Sequence, residues 1–312
     1  MRVIGVTEFG DPEVLRVHEV PAQHAAAGEV RLRVEAATVN PTDTALRAGW
    51  FKERQEGYEP PYVPGMDAAG VVDEIGPGTE TDLEVGDRVM AIVVPRGDYG
   101  AYSEHLVLPA ASVVRVPSGV DTATASTLPM NGLTARLALD ELALEPGSTL
   151  AVTGAAGALG GYVIQLAKAD GLRVIADAAD RDRELVESLG ADVVVARGDD
   201  FAVRVREVEP GGVHGAVDAA LLNDKVEPAV RDGGGIATVR GFSTDAERGL
   251  RYFPVLVVNY AEEKAKLDRL REQVEDDTLT LRVADTYPAE RASEAHRRLE
   301  AGGVRGRLVL TF

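Results

Sequence analysis

Glycines recur at every third position in Gly154-Ala155-Ala156-Gly157-Ala158-Leu159-Gly160. An apolar run, Thr149-Leu150-Ala151-Val152-Thr153, leads into them, and Leu159, Val163, Leu166 and Ala167 follow at helical spacing. A turn of this composition between a buried strand and a helix fits the diphosphate of a dinucleotide. The first glycine permits the tight turn, the second lets the backbone approach the phosphates, and the third lets the helix pack on the strand. The helix N-terminus adds unpaired N–H groups and partial positive charge. The alternative is a tight turn that binds nothing. A strand before the glycines, a helix after them and a further strand at Arg173-Val174-Ile175-Ala176 favour the binding role.

Two readings of the adenosine ribose compete. Asp177, at the end of that second strand, suits a 2′-hydroxyl and hence NAD. Arg181 suits a 2′-phosphate and hence NADP, with Arg197 a second cation. Side chains alternate along a strand, so Asp177 and Ala178 face opposite ways. Both readings stand at this level, beside a third in which Asp177, Asp180 and Arg181 are solvated helix-entry residues.

The elements around these residues fall into two regimes. Residues 1–118 carry short strand signals with Gly/Pro corners: Val30–Val34 alternates, and Gly70–Gly76, Gly86–Ile92 and Leu106–Leu108 follow. That pattern predicts a compact, barrel-like β domain. From about residue 120, strands alternate with helical segments. Asp180 is a predicted N-cap of a helix ending at Gly190, and Val193–Val195 is a third strand. A helix is expected around Phe201–Val208 and another near Lys225–Arg231, between strands at Ala216–Asp218 and Ile236–Val239. Crossovers of this length require a parallel, doubly wound sheet. The tail has a charged helix at Ala261–Glu275, a helix near Ala289–Ala301 and a strand at Arg307–Thr311, and periodicity assigns it to neither region.

The bulk numbers narrow the function classes. A chain of 312 residues holds two cores. A net charge of −18 repels phosphate backbones and anionic membranes, so no nucleic-acid partner is expected. The absence of cysteine removes thiolate zinc sites, iron–sulfur ligation and a Cys nucleophile. No apolar leader opens the sequence, and no run approaches the ~20 apolar residues of a membrane span. A cytoplasmic location is the default expectation. The five histidines are scattered outside any Ser/His/Asp or metal pattern, and surface roles are expected for them.

Several short motifs, in order and across nearly the whole chain, resemble the zinc-free quinone oxidoreductases (zeta-crystallin-like) of the medium-chain dehydrogenase/reductase superfamily. Glu8–Leu15 resembles that group's opening segment, and Val39-Asn40-Pro41-Thr42-Asp43 its VNPxD element. Pro64–Val72 is similar to PGxDxAGVV, Val85–Val89 to VGDRV, and Leu128–Ala135 to LPxxGLTA.

The resemblance implies an α/β architecture: a GroES-like β-barrel domain from residues 1–118 and 252–312, and a Rossmann domain from 119–251. It also implies an active site in the interdomain cleft and a homodimer through the Rossmann sheet edge. In the zinc-dependent branch, the metal is held at positions that here are Asn40, Met66 and Met130, none a typical zinc ligand. No metal is therefore expected. The same carry-over places Asn40 at the nicotinamide or the acceptor carbonyl, makes Asn131 and Thr134 cofactor contacts, and brings Gly241 near the nicotinamide. Tyr62 is the best placed of four aromatics, with Trp50, Phe51 and Tyr58, for a planar acceptor. Relatives often use a tyrosine after the third strand to hold the 2′-phosphate; Val195-Ala196-Arg197-Gly198 has none, which leaves Arg197, assisted by Lys168. The expected activity is NADPH-dependent hydride transfer to a quinone or conjugated enone. An enoyl-thioester reductase and a non-catalytic NADPH-binding protein, with RNA as a conceivable ligand of the latter, are the alternatives.

Overall fold

Val30, Leu32 and Val34 are buried while Arg31 and Arg33 between them are not, so the strand Glu29–Val39 hides one face along its first half. It is the centre of a seven-stranded sheet in the computed structural model, which describes residues 1–245 and 247–312. One edge of this strand is shared by two antiparallel partners, His105–Pro109 along residues 29–33 and Arg307–Thr311 along 36–39. Asp67–Ile75 pairs along the other edge and continues to Arg88–Ile92 and Val113–Arg115. Val283–Pro288 adds to Arg307–Thr311 in parallel. The chain's tail, which periodicity leaves unassigned, is thereby built into the β unit. That unit comprises Met1–Met130, Tyr260–Glu275 and Leu281–Phe312.

The second unit, Asn131–Asn259 with Asp276–Thr280, holds a six-stranded, wholly parallel sheet. Its spatial order is Val193–Ala196, Arg173–Ala178, Thr149–Thr153, Val213–Asp218, Val230–Thr238, Arg251–Pro254. In chain order these are strands 3-2-1-4-5-6, the doubly wound arrangement. Thr149–Thr153 is buried at every position, as a central parallel strand must be. The glycine run lies at its C-terminal end, beside the point where strand order reverses.

Four expectations shift. Residue 252 lies within Arg251–Pro254, a strand of the parallel sheet, so the 251/252 junction cuts an element of the second unit. Asp180 opens a 3-10 turn, Asp180–Asp182, and the α-helix is only Arg183–Ser188. The helix expected near Lys225–Arg231 is a 3-10 segment, Asn223–Ala229; Pro228 lacks an N–H, and Val230 already belongs to the next strand. The charged helix begins at Lys264.

Candidate functional site

The glycine run folds as its composition requires. Gly154 takes a left-handed φ of +66°, which glycine adopts without penalty. A Cβ at Gly160 would lie 2.4 Å from the Gly154 carbonyl oxygen and 2.8 Å from the Ala155 Cα. The third glycine is therefore dictated by the close approach of helix and turn. The Gly157 N–H donates to the Gly154 carbonyl at 2.9 Å and closes the turn. Gly157 then caps the helix Ala158–Ala169 without a side-chain bond. Ala158, Leu159 and Gly160 open the helix and carry the N–H groups that an α-helix leaves without intrahelical partners at its N-terminus. Bare backbone donors with helix-dipole charge behind them suit a diphosphate. A Cβ at Gly157, by contrast, would meet only the Gly154 carbonyl oxygen, at 3.1 Å, and this is the position where a dinucleotide's diphosphate would approach the backbone.

Asp177, the expected ribose reader, lies against the glycine turn at the end of the second strand. It is 6% exposed, and its Oδ1 accepts the Ala155 N–H of the glycine turn at 3.0 Å. Burial pushes its carboxyl above the usual range, against the pull of the Ala155 N–H and the Arg197 charge. Arg181 projects outward with a side chain 75% exposed, 3.8 Å from Asp182. Arg197 is exposed where the chain leaves the third strand, its N–H donating to the Ala178 carbonyl. Lys168, expected to assist, is committed to Asp192 at 2.8 Å and to the Leu172 carbonyl. Asn131 and Thr134 are buried on the helix Pro129–Leu142. Gly241 sits in an exposed turn with φ +75°, beyond the end of Val230–Thr238.

The other candidates belong to the β unit, where a buried polar network dominates. Asn40 ends the long strand and caps the helix Pro41–Arg47, its N–H donating to Asp43 at 2.7 Å. Its side chain is wholly buried and committed at both ends. Nδ2 donates to Asp67 at 2.9 Å, and Oδ1 accepts from Arg307. Arg307 also donates to Asp67 at 3.1 Å and to Thr38 at 2.8 Å, and Thr38 donates to Asp67. The second Asp67 oxygen accepts the Met130 N–H at 2.6 Å. Asp43 accepts from the Gly65 N–H and from the Tyr102 hydroxyl, which lies 3.1 Å from His296. Burial pushes Asp43 up to about 7 and His296 down to about 3. His296 is thus a core residue, contrary to the surface role expected of the histidines.

Tyr62 is half-buried, its ring stacked on Phe9 with centroids 5.3 Å apart and planes 10° apart. Its hydroxyl donates to the Tyr58 carbonyl at 3.3 Å. Trp50 and Tyr58 are exposed and Phe51 is half-buried beneath Arg54.

The donor set does not fit zinc. Asn40 is spent on Asp67 and Arg307, and Met66 and Met130 offer buried thioethers. Among the described residues, no group of three or more His, Cys, Asp or Glu side chains could hold a metal ion. No helix among them is long and apolar enough to cross a membrane.

Residues 26–118 match the alcohol dehydrogenase GroES-like domain, and residues 189–310 match the zinc-binding dehydrogenase family. An alcohol dehydrogenase of Geobacillus stearothermophilus is 29% identical over 99% of both chains. The chloroplastic NADPH-dependent alkenal/one oxidoreductase of Arabidopsis thaliana is 28% identical over 97% of this chain and 78% of its own. A mycobacterial quinone oxidoreductase of known structure superposes with a TM-score of 0.83 at 30% identity, covering all of both chains. The chain belongs to the medium-chain dehydrogenase/reductase superfamily. It is an oxidoreductase with that superfamily's GroES-like and Rossmann-like parts.

Asp67, Arg307, Asp43, Tyr102 and His296 were not singled out from the sequence. Asp43 and Asp67 stand inside the VNPxD and PGxDxAGVV motifs, which was the available signal. Arg307 had none, because it reaches Asp67 across 240 residues of chain.

Proposed function

We propose that this oxidoreductase uses NADPH to reduce a quinone or conjugated enone without a metal. The bonding of Asn40 carries the reading. Its position would hold zinc in an alcohol dehydrogenase, and here the amide is taken up by Asp67 and Arg307. In the zinc-dependent branch the metal serves alcohol oxidation as the Lewis acid that stabilises the alkoxide. A conjugated acceptor delocalises the incoming charge itself, so positioning is the main demand on the protein. The names of the alkenal/one oxidoreductase and quinone oxidoreductase relatives support the same acceptor class.

When bound, NADPH supplies the hydride. The N–H groups of Ala158, Leu159 and Gly160 take the diphosphate, and Arg181 with Arg197 takes the 2′-phosphate. Asp177 is assigned to the turn through its bond to Ala155, and that assignment supports NADPH over NADH. Asn131, Thr134 and Gly241 are assigned to the remaining dinucleotide contacts. Asn40 holds a positioning role through Asp67 and Arg307, and the half-exposed ring of Tyr62 is assigned to the planar acceptor. The acceptor takes one hydride from the cofactor and one proton from water.

An absorbance assay tests this with NADPH and NADH against 9,10-phenanthrenequinone, 1,4-quinones and 2-alkenals, with and without a zinc chelator. Chelator-insensitive turnover with NADPH preferred is expected. Chelator-sensitive oxidation of simple alcohols, or no turnover of any conjugated acceptor, would sink the reading.

A further inference from the structure

We propose that Asp177 is a positioning residue of the glycine turn and does not read the ribose. This rests on the reading that the turn receives a dinucleotide. The residues from Gly154 to Gly160 carry no polar side chain, so nothing within the turn's own side chains can fix its shape. Asp177 supplies an acceptor from the neighbouring strand. Its Oδ1 sits 3.0 Å from the Ala155 nitrogen. At 6% exposure the carboxylate is out of water, where a charge persists only if hydrogen bonds hold it. Gly154 is the residue with φ +66°, and Ala155 is the backbone that passes 2.8 Å from where a Gly160 Cβ would be. The bond therefore acts at the tightest point of the turn, between the strand that carries Asp177 and the helix whose N–H groups would meet the phosphates.

Strand alternation completes the case. With Asp177 turned towards Ala155, Ala178 faces the other way, and neither Ala178 nor Ala179 has a side-chain acceptor for a 2′-hydroxyl. The loss of a brace affects every ligand that places a diphosphate on the turn, whatever its 2′ substituent. The loss of a reader affects only ligands with a free 2′-hydroxyl. These outcomes are opposite and measurable.

Calorimetric titrations of the full chain with NADPH, NADH and ADP-ribose separate them. Asp177→Leu should weaken all three by the same factor, about tenfold for one charge-assisted bond, with the melting midpoint of the ligand-free chain unchanged. Asp177→Asn keeps an acceptor oxygen and should restore most of that affinity. Should the leucine variant fail to fold, Asp177→Ala takes its place beside the asparagine variant. Loss of NADH and ADP-ribose binding with NADPH spared would make Asp177 a ribose reader and overturn the proposal. So would undiminished binding of all three in the leucine variant, or a loss that only tracks the unfolded fraction. Failure of the wild-type chain to bind any of the three overturns the dinucleotide reading itself, and Arg181→Ala, expected to weaken NADPH alone, tests the 2′-phosphate separately.

Discussion

The glycine turn and the Asp67–Arg307 network both fix polar groups in place, and they do it by opposite means. The turn strips away side chains until backbone N–H groups stand bare at a helix end. The network buries full charges and pairs them, with Asp67 wholly hidden and Arg307 4% exposed. The turn is local: its closing bond joins Gly157 to Gly154. The network is assembled from Thr38, Asn40, Asp67 and Arg307, with the last reaching back 269 residues to the first. A turn made of backbone can meet an external phosphate because the N–H groups of a helix's first turn lack partners within the helix. A network whose donors and acceptors are committed to one another is suited to holding a framework in place.

Breaking the network should give the largest effect. Arg307→Met leaves the Asp67 charge buried without its cation, and should cost about 3–5 kcal/mol of stability. Chemical denaturation reads this, and a second change, Asp67→Asn, should recover much of the loss. If Arg307→Met is neutral, the contrast between a braced framework and an open turn fails.

Gly160→Ala tests the other side. Its Cβ would press on the Gly154 carbonyl and the Ala155 backbone, neither of which can swing aside as a side chain does. Dinucleotide affinity should fall at least about tenfold, ~1.4 kcal/mol, by calorimetric titration. Unchanged affinity would remove the turn from the binding site.

The network should also leave a signature in pH, with two opposing parts. Asp43 is raised from its ordinary 3.8 to about 7 in the folded chain, so folding takes up a proton there. That contribution is present at low pH and is lost as pH rises from about 4 to 7. His296 is lowered from 6.5 to about 3, so folding expels a proton there. Its contribution is present above pH 6.5 and is lost as pH falls towards 3. The two oppose each other between about pH 4 and 6.5. Asp43→Asn should therefore leave stability that rises with pH across this window, and His296→Phe stability that falls. Equal slopes in denaturant midpoints for both variants would refute this arrangement of the buried groups.

The smallest effect concerns the aromatic surface. Tyr62→Ala removes the ring stacked on Phe9 and should lower kcat/KM for 9,10-phenanthrenequinone about fivefold, ~1 kcal/mol. Small 2-alkenals, which have no extended π face, should be little affected. An equal loss for both acceptors would detach Tyr62 from acceptor recognition and leave it a packing residue.

Much of this was legible from residue types alone. Apolar runs and glycine spacing marked Thr149–Thr153, the turn and the following helix, because each depends on near neighbours. Repeated strand–helix alternation implied the parallel sheet for the same reason. Local patterns misled where tertiary packing overrode them. Lys225–Arg231 read as a helix, but Pro228 and the entry of Val230 into the sheet held the segment to a 3-10 turn. His296 read as one of several scattered histidines until folding placed it against Tyr102.

The sequence by itself determined the glycine turn and the missing thiolates, which are matters of composition and short spacing; that Asn40, Met66 and Met130 stand at zinc-holding positions is what the resemblance to the zinc-free quinone oxidoreductases implies. Only the tertiary structure decided which way Asp177 faces and that Asn40 is gripped by Asp67 and Arg307. Each of these depends on which distant strands pair and in what register, and a one-residue slip would turn every side chain to the other face.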